Sequence, residues 1–145
     1  MINNNYKYSD ITERIIKCAF NVHNTIGAGF QEVIYQRALA IELEYEKLNY
    51  IREQEMPIYY RDIQIGERRV DFLIENNVLV ELKAVSRLED VHLAQAINYL
   101  EAFKLEVGLL INFGSVRVEF KRVMKNDEQL KKGNQIGFTD YKKNG

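Results

Sequence analysis

A single cysteine, Cys18, leaves no partner for an internal disulfide and excludes a zinc site built on cysteine. The two histidines, His23 and His92, have no third ligand at a recognisable spacing, so a histidine zinc site is excluded as well. No apolar run is long enough to span a bilayer. The first eight residues read as a loose polar arm and lack the apolar core of a signal peptide. A cytoplasmic protein with no membrane partner is the expectation. Neither sign of charge dominates: the net charge of −1 argues against a broad electrostatic grip on nucleic acid. Any such grip would rest on a local surface drawn from Arg52, Arg61, Arg68, Arg69, Arg87, Lys121 and Arg122. There is no Gly-x-Gly-x-x-Gly fingerprint and no phosphate-loop lysine. Ser115 has no nucleophile context.

What the chain does have is enough apolar material for one core. Its 145 residues are 46% apolar and 28% charged, which suits a single soluble domain. Asp10 and Glu13 have the spacing of a capping box, and Ile11, Ile15, Ala19, Val22 and Ile26 recur at helical spacing behind it. His23, on a half-apolar face of this helix, reads as a satisfied core residue. Gly27-Ala28-Gly29 stops the helix. A second helix is expected from about Gln31 to Lys47, with Val33, Ile34, Ala38, Ile41 and Leu48 as its apolar stripe. Pro57 to Tyr60 reads as a strand with proline near its start. Ser86-x-x-Glu89 has the form of a second capping box, opening a third helix to about Lys104. Val107 to Asn112 reads as a buried strand, and Val116, Val118 and Phe120 alternate as an edge strand. The domain is expected over 1–123. Residues 124–145 read as a polar tail, expected to be partly disordered, with Ile136, Phe138 and Tyr141 as candidate docking residues.

Between Arg69 and Lys83 the pattern carries chemistry. Val70, Phe72 and Ile74 form one apolar row and Val78, Val80 and Leu82 another. Pairing 74 with 78, 72 with 80 and 70 with 82 leaves a three-residue loop, Glu75 to Asn77. A two-residue loop would put the rows on opposite faces. In the selected register Asp71 lies opposite Glu81, with Lys83 two residues further on the same face. Opposed Cβ atoms lie about 4.5–5.5 Å apart. Two carboxylates that close repel unless a proton or a cation lies between them. A hard cation with oxygen ligands, Mg2+ or Mn2+, resolves the conflict. The plainer reading is a solvated hairpin face neutralised by Lys83.

Two further groupings bear on the same cleft. His92, Gln95 and Tyr99 fall at i, i+3 and i+7 on the third helix, beside an apolar arc of Leu93, Ile97 and Leu100. Glu32 and Tyr35 lie one turn apart at the start of the second helix. Two roles are open for Glu32: favouring the helix N-terminus through the dipole, or reaching the cleft as a third acid.

Taken together, Gly29-x-x-Glu32-x-x-Tyr35, Asp71, Glu81-x-Lys83 and Gln95-x-x-x-Tyr99 resemble the GxxExxY proteins, small members of the PD-(D/E)XK nuclease superfamily. The resemblance covers roughly residues 10–123, with Val70 standing where the superfamily's name has proline. It implies an α/β, restriction-endonuclease-like core: a mixed central sheet flanked by helices in the order ααβββαββ. It implies Asp71 and Glu81 as metal ligands for Mg2+ or Mn2+, with the Leu82 carbonyl as a further ligand and Glu32 completing the shell. Asp71, Glu81, Lys83 and Gln95 would be the catalytic set. Lys83 would act on the attacking water or as a charge on the phosphate. Tyr35, His92, Gln95 and Tyr99 would hold substrate or brace the site. The expected function is metal-dependent hydrolysis of phosphodiesters in nucleic acid, DNA first, with homo-oligomerisation as a way to enclose it. The alternative is a catalytically inactive module of the same fold that binds nucleic acid or a partner protein. A structural homo-oligomer is a third reading.

Overall fold

The computed structural model describes residues 7–125. Two helices, α1 (Ser9–Ile26) and α2 (Glu32–Tyr45), precede three strands, β1 (Tyr50–Tyr60), β2 (Ile63–Ile74) and β3 (Val78–Lys83). Helix α3 (Asp90–Phe103) leads to β4 (Val107–Asn112) and β5 (Glu119–Met124). The strands form one sheet in the order β1-β2-β3-β4-β5. Only β3 and β4 pair in parallel, across the α3 crossover; the other neighbours are antiparallel. This is the mixed α/β architecture and the element order expected from the sequence.

The composition of the strands explains their places. β3 and β4 are short and buried up to Lys83 at the end of β3, and apolar apart from Glu81, Lys83 and Asn112, as suits central strands covered on both faces. Alternation along β3 sends Val78, Val80 and Leu82 to one face, where α1 and α2 contribute Ile15, Cys18, Val22, Leu39 and Leu43. It sends Leu79 to the other, against Ala96, Ile97 and Leu100 of α3. Cys18 is part of the first core, and burial pushes its thiol up to about 11, where it is inert.

Several sequence-based boundaries move. α1 opens at Ser9, so Asp10 lies inside the first turn and the expected Asp10–Glu13 box does not cap it. Instead Thr12 Oγ1 donates back to the Ser9 carbonyl at 3.2 Å. α2 starts at Glu32 and ends at Tyr45, inside the expected span, but its buried face is Tyr35, Gln36, Leu39, Ala40 and Leu43. Val33, Ile34 and Ile41 of the expected stripe are exposed, because the packing turns the Tyr35 face to the sheet. α3 starts at Asp90: its capping box is Glu89 with His92, not Ser86 with Glu89. β1 runs the whole length from Tyr50, with Pro57 tolerated because β1 is an edge strand. β2 reaches back to Ile63, and its turn with β1 is Arg61-Asp62, both in the left-handed region (φ 49° and 64°). That turn has the backbone of a primed hairpin without the glycine or asparagine that announces one. The last strand lies at Glu119–Met124, past the expected alternation, and Val116 is exposed. The expected tail docking by Ile136, Phe138 and Tyr141 lies outside the described residues.

One glycine has a steric reason that bears on function. A Cβ on Gly114 would press into the backbone of Ala84 and Val85, the segment leaving β3 just after Lys83. The same segment is tied down by Asn112, fully buried, whose amide exchanges bonds of 2.9 Å with both the N–H and the carbonyl of Val85. Gly114→Ala is expected to cost about 2–3 kcal/mol by overpacking, read as a lower urea midpoint with an unchanged slope.

Candidate active site

The β2–β3 ladder runs through Ile74↔Val78, Leu73↔Leu79 and Phe72↔Val80 and stops there. This is the register read from the apolar rows, with the three-residue loop. Past Phe72 two carboxylates take over the backbone donors. The Asp71 N–H donates to Glu81 Oε1 at 3.1 Å, and the Leu82 N–H donates to Asp71 Oδ2 at 2.8 Å. Asp71 and Glu81 are therefore wedged into the seam between the strands. The expected pairing of Val70 with Leu82 is absent from the ladder. Val70 packs with Leu79, Tyr99 and Leu100 on the α3 side, while Phe72 and Ile74 pack on the α1–α2 side. The single apolar row expected along 70, 72 and 74 is thus split at Asp71. β1 accommodates the same irregularity: its register passes from Arg52↔Phe72 to Gln54↔Val70, and Glu53 between them takes a left-handed φ of 57°.

From the α1–α2 side, Gln36 Nε2 donates to Asp71 Oδ1 at 2.7 Å. Gln36 is 5% exposed, and its Oε1 is buried with no partner. Glu32 lies one turn before it on the same helix face. Burial raises the Glu32 carboxyl; Lys83 pulls it down and Asp71 pushes it up, so it shares their field. Tyr35 has a different task. Its hydroxyl donates to the Gly27 carbonyl at 2.6 Å and accepts the Phe30 N–H at 3.2 Å, and its ring stacks on Phe113 at 4.7 Å. Gly27 and Gly29, both at positive φ, make the turn that Tyr35 pins, and this turn delivers the start of α2 to the acids.

From the α3 side, Lys83 Nζ donates to Gln95 Oε1 at 3.4 Å. Tyr99 is buried in the second core beneath the guanidinium of Arg68, 5.0 Å above its ring. Arg68 Nη2 lies 3.8 Å from Glu81 Oε2. His92 Nδ1 accepts the Glu89 N–H at 2.9 Å as part of the α3 cap, so its first role is to start that helix. His23 is satisfied in the core, its Nε2 3.0 Å from the Ser115 carbonyl.

Burial lifts the Asp71 carboxyl above its usual range, against the hydrogen bonds from Leu82 and Gln36 that favour its charge. Glu81 is pushed up to about 7, first by burial and then by the charge of Asp71. The strand seam therefore holds one buried and one half-buried carboxylate, both raised by burial against the pull of Arg68 and Lys83. Among the described residues no three His, Cys, Asp or Glu side chains converge closely enough to form an ion cage. A small hard cation does not need one: Mg2+ keeps several waters and takes one or two carboxylates. Asp71 and Glu81 make a carboxylate pair of that kind, so the residues fit such an ion. Glu32 stands outside this close pair.

Two neighbours of the acids carry roles that sequence reasoning did not assign. Gln36, which holds Asp71, was legible only as the residue four after Glu32, on the same helical face. Arg68 was one basic residue among seven candidates; in the fold Arg69 turns to Glu55 and Glu53 and Arg87 to Glu89, while Arg68 turns to Glu81.

Comparison with known proteins agrees with this architecture. The chain matches the family model described as the PD-(D/E)XK nuclease superfamily over residues 9–123. Among solved structures, the one titled "Crystal structure of SSO0001" superposes with a TM-score of 0.52 at 20% identity, over 66% of this chain and 50% of that one. At that identity the likeness is one of fold, and the match takes in half the length of the solved protein. No curated protein matches. No helix among the described residues is long and apolar enough to cross a membrane. With the family model covering every element from α1 to β5, the chain belongs to the PD-(D/E)XK nuclease superfamily.

Proposed function

We propose that this protein is a nuclease of the GxxExxY group that hydrolyses phosphodiester bonds in DNA with Mg2+ or Mn2+. Nucleases of the superfamily are generally divalent-metal dependent and act on nucleic acid. The observation that carries the reading is the seam of β2 and β3, where Asp71 and Glu81 displace the ladder beside Lys83. Opening the central pairing around a buried and a half-buried acid costs ladder hydrogen bonds, a cost that a ligand held between the acids would offset.

In this reading Asp71 and Glu81 would hold the ion, Gln36 fixes the orientation of Asp71, and Glu32 would complete the shell from α2. The ion when bound supplies a more acidic water and a neutralising charge at a phosphate oxygen. Lys83, braced by Gln95, presents an ammonium to the same phosphate or orients the attacking water. Tyr99 and His92 build the α3 wall, and Tyr35 keeps the start of α2 in place. A titration of Mn2+ by calorimetry, followed by incubation with labelled single- and double-stranded DNA, tests this. The expected result is saturable Mn2+ binding and cleavage that stops on adding chelator. DNA binding without metal binding or cleavage would replace the enzyme with an inactive binding module.

A further inference from the structure

We propose that Arg68 is the substrate-anion ligand of this site, the group that takes the scissile phosphodiester, and that it rests against Glu81 until the phosphate arrives. The proposal rests on the nuclease reading and adds to it a residue outside the motifs that resemble the family.

Arg68 lies on β2 three residues before Asp71, and the change of packing side at Asp71 puts it on the α3 side with Val70. Three observations describe a guanidinium that is placed, with a hydrogen bond to the Tyr99 side chain, but closes no short pair with a carboxylate. Its Cζ lies over the ring of Tyr99, 5.0 Å from the centroid. Its approach to Glu81 Oε2 is 3.8 Å, too long for a hydrogen bond. Its Nε is buried with no acceptor. An arginine whose task is to neutralise Glu81 would close a short, bidentate pair with it. Arg69, the next residue, shows the contrast: its Nη2 closes on Glu55 Oε1 at 2.9 Å.

The planar fork of the partly exposed guanidinium suits a tetrahedral oxyanion, which phosphate supplies and which lysine would meet less well. The position is right for that anion, between Glu81 and the α3 wall. The side chain is 39% exposed, so substrate can reach it. The loose contact with Glu81 also has a logic. A cation held by Glu81 would compete with Arg68 for the same carboxylate and leave the guanidinium available to an incoming negative charge.

The test uses Arg68→Ala and Arg68→Lys on the full chain, with folding checked by thermal melting. Binding is read by anisotropy with a labelled phosphorothioate oligonucleotide, and again with its uncharged methylphosphonate analogue. Mn2+ affinity is read by calorimetry. Expected is a loss of about 10- to 100-fold for the charged oligonucleotide in Arg68→Ala, only partial recovery in Arg68→Lys, no difference for the uncharged analogue, and Mn2+ affinity equal to or tighter than wild type. Unchanged binding of the charged oligonucleotide, or a fall in Mn2+ affinity, would overturn the assignment; the latter would make Arg68 a support for Glu81. Should Arg68→Ala fail to fold, Arg68→Lys decides alone, since it keeps the charge and removes the fork. A wild type that binds neither Mn2+ nor oligonucleotide would overturn the nuclease reading itself, which separates the two failures.

Discussion

Glu81→Gln is expected to abolish cleavage, by about three orders of magnitude, in a protein more stable than wild type at alkaline pH. The two effects have one cause. In the folded chain burial, and then the neighbouring Asp71 charge, raise Glu81 from 4.5 to about 7. The folded state therefore holds this proton more tightly than the unfolded state does. Between about 4.5 and 7 the folded form binds more protons, so stability falls as pH rises through that window. The full penalty is present above the folded value, and a shift of this size corresponds to about 3 kcal/mol. Asp71 is shifted in the same direction and adds to the fall. Glutamine keeps the shape and an acceptor for the Asp71 N–H but has no charge to ionise. Urea unfolding of both proteins at pH 5 and pH 8, in chelator, measures the difference. Wild type should lose more stability between the two pH values than Glu81→Gln. Equal losses would mean that Glu81 ionises in the seam without strain, and the case for a cation there would go with it.

Lys83→Ala should separate chemistry from metal binding. Its Nζ reaches Gln95, not a carboxylate, at 3.4 Å. Removing it takes away a positive charge that competes for the acids, so Mn2+ affinity should hold or improve. Cleavage should fall by about 100- to 1,000-fold, the range for losing one positioned donor at developing charge. Single-turnover cleavage beside calorimetry on the same preparation makes the comparison. Loss of Mn2+ binding in Lys83→Ala would show that the lysine holds the seam together, and its assignment as an active group would fail. Full activity in Lys83→Ala would remove it from the mechanism.

The part of the site that was legible in the sequence is the part governed by short range and fixed period. Phe72 and Ile74 against Val78 and Val80 admit one register if both rows are to be buried on one side. That register sets Asp71 opposite Glu81. The same rule gave too much when extended to Val70, because it assumes a strand that keeps its faces. Asp71 breaks the assumption: its carboxylate takes the Leu82 N–H, the ladder ends, and Val70 and Arg68 pass to the α3 side. The Arg61-Asp62 turn escaped for a different reason. Asp62 tolerates the left-handed region, but Arg61 before it does not announce a second such conformation, which the length and pairing of β1 and β2 impose.

The sequence by itself determined the α/β order, the β2–β3 register around Glu75 to Asn77, and the meeting of Asp71 with Glu81. These follow from hydrophobic period and from contacts about ten residues apart. Only the tertiary structure decided that β2 and β3 part at the acids, that Gln36 comes across from α2 to hold Asp71, and that Arg68 rather than Arg69 faces Glu81. Those outcomes depend on how two helical layers press on opposite faces of one twisted sheet, a balance of long-range packing that no local spacing encodes.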